Sequence, residues 1–147
     1  MKYILPLFAF FVLAFAPPVS ADNHEKVMEA PISAPATTIV AFHADWCGGC
    51  KILAPKMEKV MEMLDEETKS QFSMLKFDFT DNETTANSRA LAEEKGLSSL
   101  ISSPTGKPAT GMLKIIDTAS GEILTKIHYN MSEEEITNAI KTATQRS

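Results

Sequence analysis

The stretch that most constrains this chain is Trp46-Cys47-Gly48-Gly49-Cys50-Lys51. Its cysteines are the only two in 147 residues, and they stand at Cys-x-x-Cys spacing. An apolar run rich in β-branched and aromatic residues, Thr38-Ile39-Val40-Ala41-Phe42, comes just before them. After them Ile52, Leu53, Met57, Val60, Met61 and Leu64 recur at helical spacing. This order puts Cys47 where a buried strand ends and a helix begins. A helix start carries unsatisfied backbone N–H groups and the positive end of the helix dipole, and both favour an anion. A thiolate is such an anion, so a lowered pKa and raised reactivity are expected at Cys47. Cys50 lies one turn further on the same helix face, within reach of a disulfide and expected to be the more buried of the two. Such a pair makes and breaks a disulfide reversibly.

Other uses of two cysteines fit less well. A Cys-x-x-Cys disulfide closes so short a loop that it constrains the unfolded chain little, which makes it a poor structural staple. A structural zinc site needs four ligands, and two cysteines with three scattered histidines offer no obvious set.

The N-terminus has the pattern of a secretory signal. Lys2 supplies a positive start, Ile4 to Ala16 an apolar run too short to span a bilayer comfortably, and Pro17-Pro18-Val19-Ser20-Ala21 a cleavage site of small residues. The expected organisation is a signal peptide over 1–21, an N-terminal arm over 22–36 and one compact domain over 37–147. The expected location is the periplasm or another exported compartment. A formal net charge of −5, spread along the chain, argues against nucleic acid or an anionic membrane surface as a partner. A monomer is expected.

Further along, Phe72 to Phe79 reads as a strand, and Asp81 or Asn82 as the cap of a helix that Gly96 stops. Met112 to Asp117 and Glu122 to Tyr129 read as a hairpin about a turn at Thr118–Gly121. Ser132-Glu133-Glu134-Glu135 is a capping box opening a last helix. Leu97 to Gly111, with its serines, Pro104 and Pro108, gives no clear element. It is either a recognition loop or a tolerated surface insertion.

The motif, taken with its surroundings, resembles a known family. Phe42-His43-Ala44-Asp45-Trp46-Cys47-Gly48-Gly49-Cys50-Lys51, with Ala54-Pro55 a turn later, is similar to the active-site region of the thioredoxin family, densely so over residues 38–60. The resemblance implies an α/β, thioredoxin-like fold with a central mixed β-sheet flanked by helices on both faces. It implies a thiol–disulfide oxidoreductase that exchanges a Cys47–Cys50 dithiol with protein substrates, more as a reductase than as an oxidase. Cys47 would be the attacking thiol and Cys50 the resolving one, with Trp46 shielding one side of the site. Trp46 and Pro108 would contact substrate. No organic cofactor is implied, because the dithiol itself carries two electrons. A membrane or exported redox partner would reset the site.

Several positions depart from the family pattern. Gly48-Gly49 replaces the usual Gly-Pro pair. Ala41 stands where a buried aspartate would assist proton transfer at the resolving cysteine. His43 takes a place that is often aromatic; either it faces the thiols or it is a packed strand-end residue. Lys76 matches a lysine found beneath the active site, and Lys51 is a second basic residue near it. Pro108 is the candidate for the family's cis-proline, Pro104-Thr105 competes with it, and Thr110-Gly111 takes that place if neither proline faces the site.

A second reading is a Cu(I)-handling protein of the same fold, binding metal through Cys47 and Cys50. Eight methionines invite it, since thiolate and thioether ligands suit Cu(I). Along the chain, however, Met57 and Met61 fall on an apolar helix face. Met28, Met63, Met74, Met112 and Met131 are scattered, with no Met-x-x-Met cluster, which favours core packing.

Overall fold

The computed structural model describes residues 34–103 and 108–146. The signal peptide expected over 1–21, most of the arm, and Pro104 and Thr105 lie outside them. In chain order the elements are β1 (Thr37–His43), α1 (Gly48–Met63), α2 (Glu66–Ser70), β2 (Phe72–Asp78), α3 (Asn82–Glu94), α4 (Ser98–Ile101), β3 (Met112–Asp117), β4 (Ile123–His128) and α5 (Glu133–Thr144). The four strands form one mixed sheet in the order β2-β1-β3-β4. β1 runs parallel to β2 and antiparallel to β3, and β3 and β4 form the antiparallel hairpin.

β1 is central, which is why its sequence is apolar on both faces rather than alternating. Ile39 joins a cluster with Leu53, Met57, Val60, Ile136 and Ile140, under α1 and α5. Its neighbour Val40 joins the opposite cluster with Phe77, Phe79, Ala92 and Leu100, under α3 and α4. The sheet is thus covered on both faces, as the resemblance implied.

Each helix start read in the sequence carries its cap. Asp81 accepts from the Thr84 N–H at 2.8 Å and Ser132 from the Glu135 N–H at 3.2 Å, and both form reciprocal capping boxes. Gly96 ends the turn after α3 with φ of +68°, a conformation open to glycine at little cost. Pro55 lies inside α1, where it removes one helical hydrogen bond. Two short helices were not legible in the sequence. α2 is a five-residue turn capped by the Asp65 side chain, and α4 occupies part of the unreadable Leu97–Gly111 segment.

The hairpin matters most for function. Met112 pairs with His128, so β3 leaves the site end of the sheet and β4 returns to it. The chain after β4 is held there by Lys56 of α1, whose ammonium donates to the carbonyls of Tyr129 at 2.8 Å and Met131 at 2.7 Å.

Replacing the Ser132 cap by alanine is expected to lower stability by about 1 kcal/mol, and Ser132→Asp to restore most of it. Urea denaturation of both variants measures this; an unchanged midpoint in the alanine variant would contradict the role of the cap.

Candidate functional site

β1 ends at His43, and the Cys47 N–H closes the following turn onto the Ala44 carbonyl at 3.0 Å. Cys47 is then the N-cap of α1. Its sulfur takes the place of the usual cap oxygen and accepts from the Cys50 N–H at 3.1 Å. Cys50 points inward, and its thiol donates to the Phe42 carbonyl at 3.6 Å. Both cysteines are free thiols, and both are buried, at 7% and 6% exposed, so Cys50 is not appreciably the deeper by exposed area.

Their protonation preferences diverge. At Cys47 burial works against the thiolate. Hydrogen bonds from the Cys50 thiol, the Thr110 hydroxyl and the Cys50 and Gly49 backbone outweigh it, and the pKa falls. At Cys50 burial, the bond to Cys47 and the charge there all favour the protonated form, and the pKa rises. One sulfur is set up as a nucleophile and the other as a proton-holding thiol.

The segment facing Cys47 is Thr110-Gly111. The Gly111 N–H bonds to the Phe42 carbonyl at 3.1 Å, and its φ is +76°. A Cβ there would lie 3.3 Å from the Cys47 sulfur and 3.3 Å from Gly49 Cα. Pro108 is half-buried upstream, and its bond to Lys107, where a cis geometry would sit, falls outside the described residues.

The inter-cysteine glycines are not equivalent. A Cβ on Gly48 meets nothing within 4 Å, whereas one on Gly49 would come 2.9 Å from the Tyr129 ring and 3.3 Å from Gly111 Cα. Tyr129 therefore lies against the redox loop, and it is 48% exposed. Sequence reading assigned it no role. The signal was topological: a hairpin whose first strand starts at the site must end its second strand there.

Trp46 stands out at the rim, 63% exposed, rather than closing over the thiols. Its indole N–H donates to the Thr80 carbonyl at 3.1 Å, and the Thr80 hydroxyl accepts from the Asp45 N–H at 3.1 Å. That hydroxyl in turn donates to Asp78 at 2.6 Å. Partial burial works against the Asp78 carboxylate, but bonds from Thr80 and Lys76 outweigh it and hold its pKa at about 2. The ion pair between Lys76 and Asp78 is 2.9 Å long. Lys76 is in register with Ala41, so with alanine there the lysine pairs along its own strand instead. Ala41, His43 and Cys50 line one cavity of about 530 Å³ beneath α1. His43 borders the cavity that Cys50 lines, and its Nε2 lies 3.1 Å from Asp45 Oδ1. Lys51 is exposed on α1.

Two predictions test this geometry. Gly48→Ala should stabilise by up to about 1 kcal/mol, through the lower entropy of the unfolded chain. Gly49→Ala should destabilise by about 1–3 kcal/mol through overpacking against Tyr129 and Gly111. Thermal melts of both variants measure the difference, and equal effects would contradict the close approach. Separately, the rate of Cys47 alkylation should rise with pH through a midpoint below that of an ordinary cysteine. Thr110→Val removes a donor to the thiolate and should move that midpoint upward. An unmoved midpoint would remove Thr110 from the site.

The chain is similar to several known proteins. The family model described as Thioredoxin matches residues 17–93. Protein disulfide-isomerase 1 of Caenorhabditis elegans is 32% identical over 107 residues, covering 69% of this chain and 21% of its own. Protein disulfide isomerase-like 2-2 of Oryza sativa is 41% identical over 66 residues, covering 38% of this chain and 18% of its own. The chain thus spans about a fifth of the length of these relatives. Among solved structures, the thioredoxin of Malassezia sympodialis aligns over 77% of this chain and 81% of its own, at 16% identity and a TM-score of 0.45. The family match takes in β1, the redox loop, α1 and β2, and the chain belongs to the thioredoxin family.

Proposed function

We propose that this protein is an exported thiol–disulfide oxidoreductase that acts on protein disulfides, in the reducing direction. The observation that carries the exchange reading is the divergence of the two thiols, with the pKa of Cys47 lowered and that of Cys50 raised; the reducing direction rests on the likeness of the motif to thioredoxins. The nucleophile is the thiolate, which supports Cys47 as the attacking group and Cys50 as the waiting one.

The Cys47 thiolate attacks one sulfur of a substrate disulfide. That S–S bond breaks, the departing substrate sulfur takes up a proton, and a mixed disulfide joins Cys47 to the substrate. Cys50 then gives up its proton and attacks the Cys47 sulfur. The mixed disulfide breaks, the second substrate thiol leaves, and Cys47–Cys50 is the new disulfide. Two electrons pass from the site to the substrate, and an exported or membrane redox partner returns them. Exposed Trp46, within the loop that carries Cys47, and exposed Tyr129, against Gly49 of that loop, would offer apolar contact to the substrate backbone around its cysteine. The protein disulfide isomerases among the relatives support protein disulfides as the substrate class. The export reading rests on the N-terminal pattern of Lys2, the apolar run and Ala21.

Equilibration against glutathione tests the direction. A reduction potential near or below about −250 mV is expected, and a value of about −120 to −180 mV would overturn the reductase direction. A Cys50→Ser variant should trap substrates on Cys47 as mixed disulfides. Failure to form the Cys47–Cys50 disulfide reversibly would remove the exchange reading altogether.

A further inference from the structure

The resolving step needs a place for a negative charge. Cys50 attacks as a thiolate, yet the cavity that it lines beneath α1 is walled largely by apolar side chains, among them Leu53, Met57, Met61 and Met74. The titratable groups around it are Cys47, His43 of β1, and Glu58 and Glu62 of α1, and a carboxylate nearby disfavours a second anion. From β3, Lys114 holds its ammonium 4.6 Å above the Phe42 ring and donates to the Leu100 carbonyl at 2.7 Å.

Backbone donors do face the Cys50 sulfur. Ala44, just past β1, and Gly111, at the entry to β3, each bring an N–H to it, and both favour its charged form. The Gly111 N–H and the Cys50 S–H also converge on one oxygen, the Phe42 carbonyl, at 3.1 Å and 3.6 Å. While Cys50 is a thiol, that oxygen accepts from both. Once the thiol has lost its proton, sulfur and oxygen are both acceptors and repel, and a donor gains more from the charged one. Glycine suits the position twice over. Its φ of +76° is open to glycine, and a Cβ there would lie 3.3 Å from the Cys47 sulfur. A proline in the segment that faces Cys47 would bring no N–H at all.

We propose that the backbone N–H groups of Gly111 and Ala44 form the anion site for the Cys50 thiolate in the resolving step, with the Gly111 N–H turning from the Phe42 carbonyl to the sulfur as the charge appears. The inference rests on the exchange reading and names the groups that touch its second reacting sulfur. The Cys50 S–H bond breaks and the proton goes to solvent. The electron pair on sulfur then forms the bond to the Cys47 sulfur. The bond from Cys47 to the substrate breaks, and its electron pair leaves on the substrate sulfur, which takes up a proton. The site dithiol is oxidised and the substrate disulfide reduced, with no further reactant. Donors already in place at the developing charge need little reorganisation when it forms.

Cell-free translation of the full chain with glycolate in place of Gly111 turns that N–H into an ester oxygen and adds no atom to crowd Cys47. One equivalent of dithiobis-nitrobenzoate, an aromatic disulfide, releases a coloured thiol from the reduced protein in two phases, first as Cys47 attacks and then as Cys50 resolves. The glycolate protein should keep the first phase and slow the second by about tenfold or more, and its second phase should need a higher pH to reach the wild-type rate. Equal slowing of both phases, which a merely structural role would give, overturns the proposal, as does an unslowed second phase. In the Cys47→Ser background, where no exchange occurs, glycolate should raise the midpoint at which the Cys50 Cβ resonance titrates. An unmoved midpoint there contradicts the anion site even if the wild type cycles normally. Absence of the second phase from the wild type would sink the exchange reading, and this titration would still decide the anion site. Should the glycolate protein fail to fold, carbon-detected spectra of Cys47→Ser with its native backbone decide. The amide nitrogen resonances of Gly111 and Ala44 should follow the Cys50 midpoint, and resonances that stay still overturn the proposal.

Discussion

The reactive end of the molecule depends on one short contact, the Cys50 N–H donated to the Cys47 sulfur at 3.1 Å. It does two jobs at once. As a cap it satisfies one of the orphan donors at the start of α1. As a donor to sulfur it favours the thiolate over the thiol, and a charged acceptor binds such a donor more strongly than a neutral one. The start of the helix and the charge on Cys47 are therefore linked. When Cys47 enters a disulfide the sulfur becomes neutral, and the cap weakens with it. The reduced site is the better-capped one.

Holding that contact in place requires three separate segments to meet. β1 delivers the redox loop, the entry to β3 delivers Thr110-Gly111, and the exit of β4 delivers Tyr129. The antiparallel pairing of β3 on both β1 and β4 brings these ends together. Their approach is so close that backbone meets backbone at Gly49 and Gly111, where a side chain on either would crowd the other or the Cys47 sulfur. Lys56 keeps the third segment from drifting, since its two carbonyl acceptors lie at Tyr129 and Met131. The rest of α1 is anchored by burial of Leu53, Met57 and Val60 under the sheet.

Much of this was legible because it is local. Strand, redox loop, helix, the Ser132 capping box and the Asp81 cap are written in contiguous residues, so spacing alone finds them. The nucleophile was legible for the same reason: much of its stabilisation comes from its own helix start, to which the distant Thr110 hydroxyl adds. What could not be read is what the fold assembles from distance. Tyr129 meets Gly49 only through the hairpin, and the methionine-lined cavity draws on α1, β2 and β3. The Leu97–Gly111 segment hid its role in another way. A proline was the obvious marker to search for, whereas contact with Cys47 is made by a threonine hydroxyl and a glycine backbone, residue types that occur in any loop.

Ala41 shapes the chemistry as much as any residue that is present. Cys50 carries a raised pKa, and its thiol donates to the Cys47 sulfur and to the Phe42 carbonyl; once Cys47 is held in a mixed disulfide, neither can take the proton. In the exchange proposed above, the first step draws on a sulfur already biased toward the thiolate. The second must first deprotonate Cys50 in a largely apolar setting. The titratable side chains sharing its cavity are His43, two residues beyond Ala41 on the same face of β1, and Glu58 and Glu62 of α1. None replaces a carboxylate set at position 41 itself. In the proposed exchange, resolution would therefore be the step held back by the raised Cys50 pKa, and it would quicken as pH rises. A long-lived mixed disulfide gives a bound substrate time to rearrange or to leave by attack from one of its own thiols. In the proposed exchange, alanine at this position would therefore favour a slower, more selective reaction over fast general reduction.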